Sequence, residues 1–178
     1  MPLPLIPEIL NTVSGAKAKY FTKLEVWWGY NNVRIKDGDE WKAAFWTNRG
    51  LFEPLVMFFG LTNSPATFQM MMNDIFRELI DEGVVVIYMD DILIFGGQTK
   101  EEHHAIVVRV LDILCRHRLY LKAEKCTFGQ PMVEYLSLIL LEGCVEMDPV
   151  KVAGVRDWLT LRNITKVQSF VGFVNFYW

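Results

Sequence analysis

The chain has 178 residues, 20.7 kDa, with 52% hydrophobic and 13% aromatic side chains, which is enough for one domain with a real core and excludes a disordered chain. A net charge of −3 and an isoelectric point of about 5.6 exclude a uniformly basic, free-standing nucleic-acid binder; the acidic excess lies in residues 61–120. No apolar run approaches the roughly 20 residues that cross a bilayer, so no membrane association is expected.

Met1–Pro7 has neither the basic start nor the apolar core of a signal peptide, which predicts an intracellular chain, cytoplasmic or nuclear. Pro7–Ala18 is a helix candidate and Tyr20–Val26 alternates as a strand does. The turn Asp37-Gly38-Asp39 between Asn32–Lys36 and Trp41–Thr47, and the turn Asn48-Arg49-Gly50 before Leu51–Met57, predict hairpin strands. Asn63-Ser64-Pro65 is a helix start, opening an apolar-periodic run over Ala66–Ile80. Lys100–His117 predicts a second helix with Ile106, Val107, Val110, Leu111 and Leu114 on one face. A strand pair is expected over Pro131–Glu146, then helices over Pro149–Leu159 and Thr165–Tyr177. Cys115, Cys126 and Cys144 are odd in number and lack C-x-x-C spacing; reduced, mostly buried thiols are expected rather than a disulfide frame or zinc site.

Between the two central helices lies Val84–Phe95, VVVIYMDDILIF, which reads as two short strands with Asp90 and Asp91 at a tight connection. Two adjacent carboxylates repel, and desolvating either one is costly unless a cation or hydrogen-bond donors compensate. The plain alternative is a polar turn, since aspartate is a common turn residue. Glu25 ends another strand-like run; if that strand lies beside the hairpin, three carboxylates cluster. Such a cluster is a candidate two-metal site, in which two Mg²⁺ ions about 3.5–4 Å apart would support nucleotidyl transfer.

The string Tyr88-Met89-Asp90-Asp91 resembles the signature of reverse transcriptases. The segments YFTKLEVWWGYNNVRI, WKAAFWTNRGLFEPLVMFFGLTNSPATFQMMMNDIF, VVVIYMDDILIF, EEHHAIVVRVLDIL, LYLKAEKCTFGQ, VEYLSLIL and VEMDPVKV are similar, in order, to the polymerase of gypsy-class long-terminal-repeat retrotransposons. The resemblance implies an α+β fold: a right-hand palm with partial fingers, an antiparallel sheet carrying the carboxylate hairpin, and helices packed on one face. Residues 1–178 would then be a reverse transcriptase fragment, with a thumb or connection starting at about 149–178. Resemblance places the catalytic, metal-binding carboxylates at Glu25, Asp90 and Asp91, with the Val26 carbonyl as a further ligand for Mg²⁺ or Mn²⁺. It places Tyr30 as an aromatic gate under the incoming sugar, the alternative being a core tyrosine. Phe59 and Gly60 would line the nucleotide pocket, and Gln69 matches a glutamine of the following helix whose role is either functional or structural. Nucleic-acid contacts are implied at Tyr88 and Met89, and at Lys42 and Arg49 unless these are simply solvated. The implied partners are an RNA or DNA template with its primer and deoxynucleoside triphosphates, within a larger polyprotein.

Four positions depart from the pattern. Glu25 stands where the family has aspartate, Trp46 where an arginine able to grip a triphosphate is expected, Ser137 where glycine is usual, and Trp27 where a basic or polar residue is expected. The expected activity is RNA-directed DNA polymerisation; the alternative is a catalytically impaired remnant with weak nucleic-acid binding.

Overall fold

A computed structural model describes residues 3–158 and 163–174. Helix α1 (Ile6–Ala16) buries Ile9 and Val13, one turn apart, and stops at Lys17, whose left-handed backbone (φ 47°) turns its N–H onto the Ser14 carbonyl. Strand β1 (Phe21–Glu25) follows where alternation predicts it.

The next stretch departs from expectation. Gly29–Asn32 is a 3₁₀ turn, closed by Asn32 Nδ2 donating to the Trp27 and Trp28 carbonyls. Residues 33–35 bond to 55–57 through Met57 N–H to Val33 O and Ile35 N–H to Leu55 O, so Asn32–Lys36 does not pair with Trp41–Thr47. Glu40–Ala43 is drawn into a second 3₁₀ turn. The hairpin left over is short: β2 (Phe45–Thr47) with β3 (Gly50–Phe52). The run Ala66–Ile80 forms two helices, α2 (Ser64–Ile75) and α3 (Arg77–Asp81), because the chain bends at fully buried Phe76.

Strands β4 (Val85–Tyr88) and β5 (Asp91–Ile94) make the expected hairpin, and α4 (Lys100–Arg116) starts with Thr99 and Glu102 in a reciprocal cap. Strand β6 (Thr127–Gln130) was not foreseen; its side chains are mostly exposed, so no alternation marks it. In place of one strand pair there are three strands, β7 (Val133–Tyr135), β8 (Leu138–Leu141) and β9 (Cys144–Met147), then α5 (Pro149–Arg156) and α6 (Ile164–Val174). Leu159 and Tyr177, the expected ends of the last helices, lie outside the described residues. The cysteines are free as expected but not mostly buried: Cys115 and Cys144 are exposed and Cys126 is intermediate. Cys115 on α4 falls outside the buried stripe of Val107, Val110 and Leu114.

The central sheet is antiparallel, in the order β4-β5-β1-β6. One face carries Leu24, Val85, Ile87, Ile92 and Ile94 against Phe68, Met72, Phe76, Leu79, Val107 and Val110 of α2–α4. The other face carries Phe21, Leu93 and Phe95, covered by Ile9 and Val13 of α1 and by Val133, Tyr135 and Leu140. Helices therefore lie on both faces; α1 departs from the single helical layer expected. Register puts Lys23, Glu25, Tyr88 and Asp91 on this second face, at the end where the covering layer stops. No helix among the described residues is long and apolar enough to cross a membrane.

Candidate active site

Glu25 on β1 lies directly opposite Asp91 on β5, and Asp91 is in turn opposite Tyr88 on β4. Like charges facing across a sheet repel, so this row needs compensation. Lysines supply it. Lys122 Nζ donates to Glu25 Oε1 at 2.5 Å, Lys125 Nζ lies 3.9 Å from Glu25 Oε2, and Lys23 Nζ lies 3.9 Å from Asp91 Oδ1. The Lys122 hydrogen bond, outweighing burial, holds the Glu25 carboxyl below its usual range. Burial pushes the Asp91 carboxyl up; Lys23 opposes this, and the charges of Asp90 and Glu25 add to it. A cleft of about 400 Å³ opens beside the row, lined by Lys23, Glu25, Tyr88, Asp91, Lys125 and Ser137 among others.

Asp90 sits in the two-residue turn between β4 and β5. Its carbonyl accepts from Val26 N–H at 2.8 Å, while its carboxylate, among the described residues, makes no hydrogen bond or ion pair. The preceding Met89 has φ 55°, a left-handed conformation that is strained for a side chain of this size. Gln69 holds it there. This residue is 2% exposed; its Oε1 accepts from Met89 N–H at 2.7 Å and its Nε2 donates to the Ile87 carbonyl at 3.1 Å and to Asn73 Oδ1 at 2.9 Å. The glutamine therefore braces the turn that carries Asp90.

Tyr30 is buried, edge-on to Phe59 (centroids 4.8 Å) and to Phe68 (5.7 Å). Burial raises its phenol above the ordinary range and the charge of Asp90 raises it further, which places the ring within the field of that carboxylate. Gly29 leaves the room: a Cβ there would come 2.8 Å from Phe68. Phe59 and Gly60 lie exposed just before α2, Gly60 with φ 109°.

The reverse transcriptase (RNA-dependent DNA polymerase) family profile matches residues 2–140. The chain belongs to the reverse transcriptase family. It is 37% identical over 175 residues to the Transposon Tf2-3 polyprotein of Schizosaccharomyces pombe, covering 98% of this chain and 13% of that protein. It is 32% identical over 176 residues to the Retrovirus-related Pol polyprotein from transposon gypsy of Drosophila melanogaster, covering 99% and 17% respectively. This reverse transcriptase domain thus corresponds to less than a fifth of the length of these polyproteins. Its fold resembles that of the foamy viral protease-reverse transcriptase in complex with RNA/DNA hybrid (TM-score 0.79, 21% identity, 92% of this chain, 22% of that one). The same viral protein in complex with dsDNA gives a TM-score of 0.81 at 22% identity, over 94% and 35% of the two chains.

In the reverse transcriptase domain the sequence-derived positions fall into two groups. Glu25, Val26, Tyr88, Met89, Asp90 and Asp91 gather at one end of the central sheet, with Tyr30 and Phe59 in ring contact with each other and Tyr30 near Asp90. Lys42 and Arg49 lie on the exposed segment around β2 and β3; Lys42 is paired with Asp39 at 2.7 Å, and Arg49 stands in the hairpin turn. Trp46, 79% exposed, points from the same hairpin into solvent. Sequence reasoning missed Lys23, Lys122 and Lys125. The need of a desolvated carboxylate for a compensating cation was the available signal, but only the fold selects which lysines.

Proposed function

We propose that this reverse transcriptase domain carries out RNA-directed DNA polymerisation, adding deoxynucleotides to a primer 3′-hydroxyl on an RNA or DNA template. The observation that carries the reading is the cross-strand row Glu25–Asp91 with Asp90 in the adjoining braced turn. The donor chemistry fits a hard divalent cation: two facing carboxylates, and a third with no internal partner among the described residues. As they stand, no three acidic, histidine or cysteine side chains among the described residues converge on one point, and Glu25 is turned onto Lys122. Glu25, Asp90 and Asp91, with the Val26 carbonyl, would hold Mg²⁺ or Mn²⁺. Two such ions, when bound, supply activation of the attacking hydroxyl and stabilisation of the leaving pyrophosphate oxygen.

The remaining roles belong to side chains. Tyr30, fixed by Phe59 and Phe68, would present a rigid edge against a ribose 2′-hydroxyl. Gly60 has open space where a Cβ would be, which lets a nucleotide approach the backbone beside Phe59. Tyr88 and Met89 would meet the primer end, Lys42 and Arg49 phosphates of the template.

A catalytically impaired remnant is the second reading, favoured by Glu25, whose added methylene displaces the carboxylate by roughly 1 Å, a shift that can cost on the order of 10²-fold in rate. Primer extension on a DNA-primed RNA template separates the two. The first reading expects Mg²⁺-dependent extension that Asp90→Asn abolishes. Extension only with Mn²⁺, or only after Glu25→Asp, supports impairment. Unmodified protein that extends no better than Asp90→Asn with either metal refutes the polymerase reading for this chain.

A further inference from the structure

Lys122 is not a wandering surface lysine. Its own N–H donates to the Glu25 carbonyl at 2.9 Å, Val26 bridges to Leu121, and Trp27 N–H donates to the Tyr120 carbonyl at 2.7 Å, so the backbone at 120–122 is zipped alongside the end of β1. That register sets the Lys122 ammonium against Glu25 Oε1, while Lys125 stands near Oε2. Both oxygens of a side chain only 15% exposed therefore face cations that the chain itself provides. The length of the glutamate matters here. A carboxylate one methylene shorter would retract its oxygens by about 1 Å and lose a hydrogen bond to a Lys122 in the same place. Asp90, by contrast, has no ammonium upon it among the described residues, and Asp91 has one only at 3.9 Å.

We propose that Lys122 is a resident cation on Glu25 that competes with the divalent metal, so that loading the carboxylate row requires the Lys122 ammonium to leave. This rests on the metal-site reading above. A doubly charged ion and an ammonium sharing one small carboxylate repel each other strongly, whereas an ammonium that swings away enters water at the site's rim. The pair thus keeps Glu25 compensated in the metal-free protein and raises the metal concentration needed to fill the site. Lys122 acts through Glu25 and is a positioning residue.

The first test needs no variant. In the unmodified 178-residue chain, the Lys122 Nζ resonance should be slowed in exchange by its pairing and should disappear or shift on Mg²⁺ addition. Its midpoint should match that of amide shifts at Asp90 and Asp91. Mn²⁺ affinity, read from paramagnetic broadening at the same amides, should tighten about tenfold in Lys122→Met and return to the original value in Lys122→Arg. Lys125→Met, which removes an equal charge without the short bond, should change it less than threefold. Broadening at Asp90 and Asp91 with an unmoved Lys122 signal would overturn the competition while leaving the metal reading intact. Equal tightening in Lys125→Met and Lys122→Met would also overturn it, since a general field would then suffice. Absence of broadening in both the unmodified protein and Lys122→Met would remove the metal reading and the competition together.

Discussion

Two hairpins of this domain invite comparison. The β2–β3 hairpin turns through Asn48-Arg49 into Gly50, whose φ of 118° suits glycine, and its strands are exposed on nearly every side chain. The β4–β5 hairpin turns through Met89-Asp90 with a left-handed methionine, yet its strands are among the most buried in the chain. One has favourable local chemistry and little tertiary support; the other has unfavourable local chemistry and is held from three sides. Gln69 holds the turn, Val26 holds the Asp90 carbonyl, and His103 holds the far end by bonding to the carbonyl of Gly96. Strain is kept where burial can enforce a geometry, at the residues bearing the carboxylates.

Gln69→Leu should give the largest effect. It strips partners from a part-buried N–H and a buried carbonyl, and should destabilise by about 2–4 kcal/mol in urea unfolding, with faster hydrogen exchange at Met89. A loss below about 0.5 kcal/mol would mean that the turn holds itself, which breaks the comparison.

His103 offers a pH test of the other end. The Gly96 carbonyl can only accept, so Nδ1 carries the proton, and Nε2 accepts from the Thr22 hydroxyl at 2.8 Å, which itself accepts from Gly129 N–H. Burial lowers the pKa of His103; the Gly96 bond opposes this and His104 adds to it. The folded value lies below the unfolded one of about 6.5, so the contribution is complete above that pH and is lost as pH falls through the folded value. Urea midpoints from pH 8 to 5 should therefore fall, and His103→Asn should flatten the decline; parallel curves for both proteins would show that His103 does not anchor the hairpin.

A smaller gain should come from relaxing strain at a third hairpin. Leu136 and Ser137 link β7 to β8 with φ of 50° and 66°, a turn that favours glycine. Ser137→Gly should stabilise by up to about 1 kcal/mol, measured as a rise in Tm, since a non-glycine residue there costs ~1–2 kcal/mol and glycine returns part of that as chain entropy. At the exposed hairpin, Trp46→Ser should move stability by no more than about 0.5 kcal/mol in either direction. A larger loss would reveal support for the β2–β3 hairpin that its exposure does not show.

Much of this was legible in the chain. Periodicity located β1 and α4, and length with β-branched content located the β4–β5 hairpin. Periodicity failed at residues 32–44 and 53–57, where the side chains are largely exposed and long-range backbone bonds decide the pairing, and at β6, which lies on the sheet edge. Candidate carboxylates could be named from the sequence, but the ammonium on Glu25 could not, since 97 residues separate Lys122 from its partner. Gln69 was visible as a residue and opaque as a role: only the fold brings its amide to a turn twenty positions away.

The same separation sets an order in time. Strand β1 is translated before its neighbours in the sheet, β5 and β6, and before the lysine on Glu25. At about 5–20 residues per second, Glu25 emerges roughly 5–20 s before Lys122 does. Until β5 emerges β1 lacks its partner in the row, and once Glu25 and Asp91 can face each other the row still lacks its Lys122 cation until residue 122 has left the ribosome.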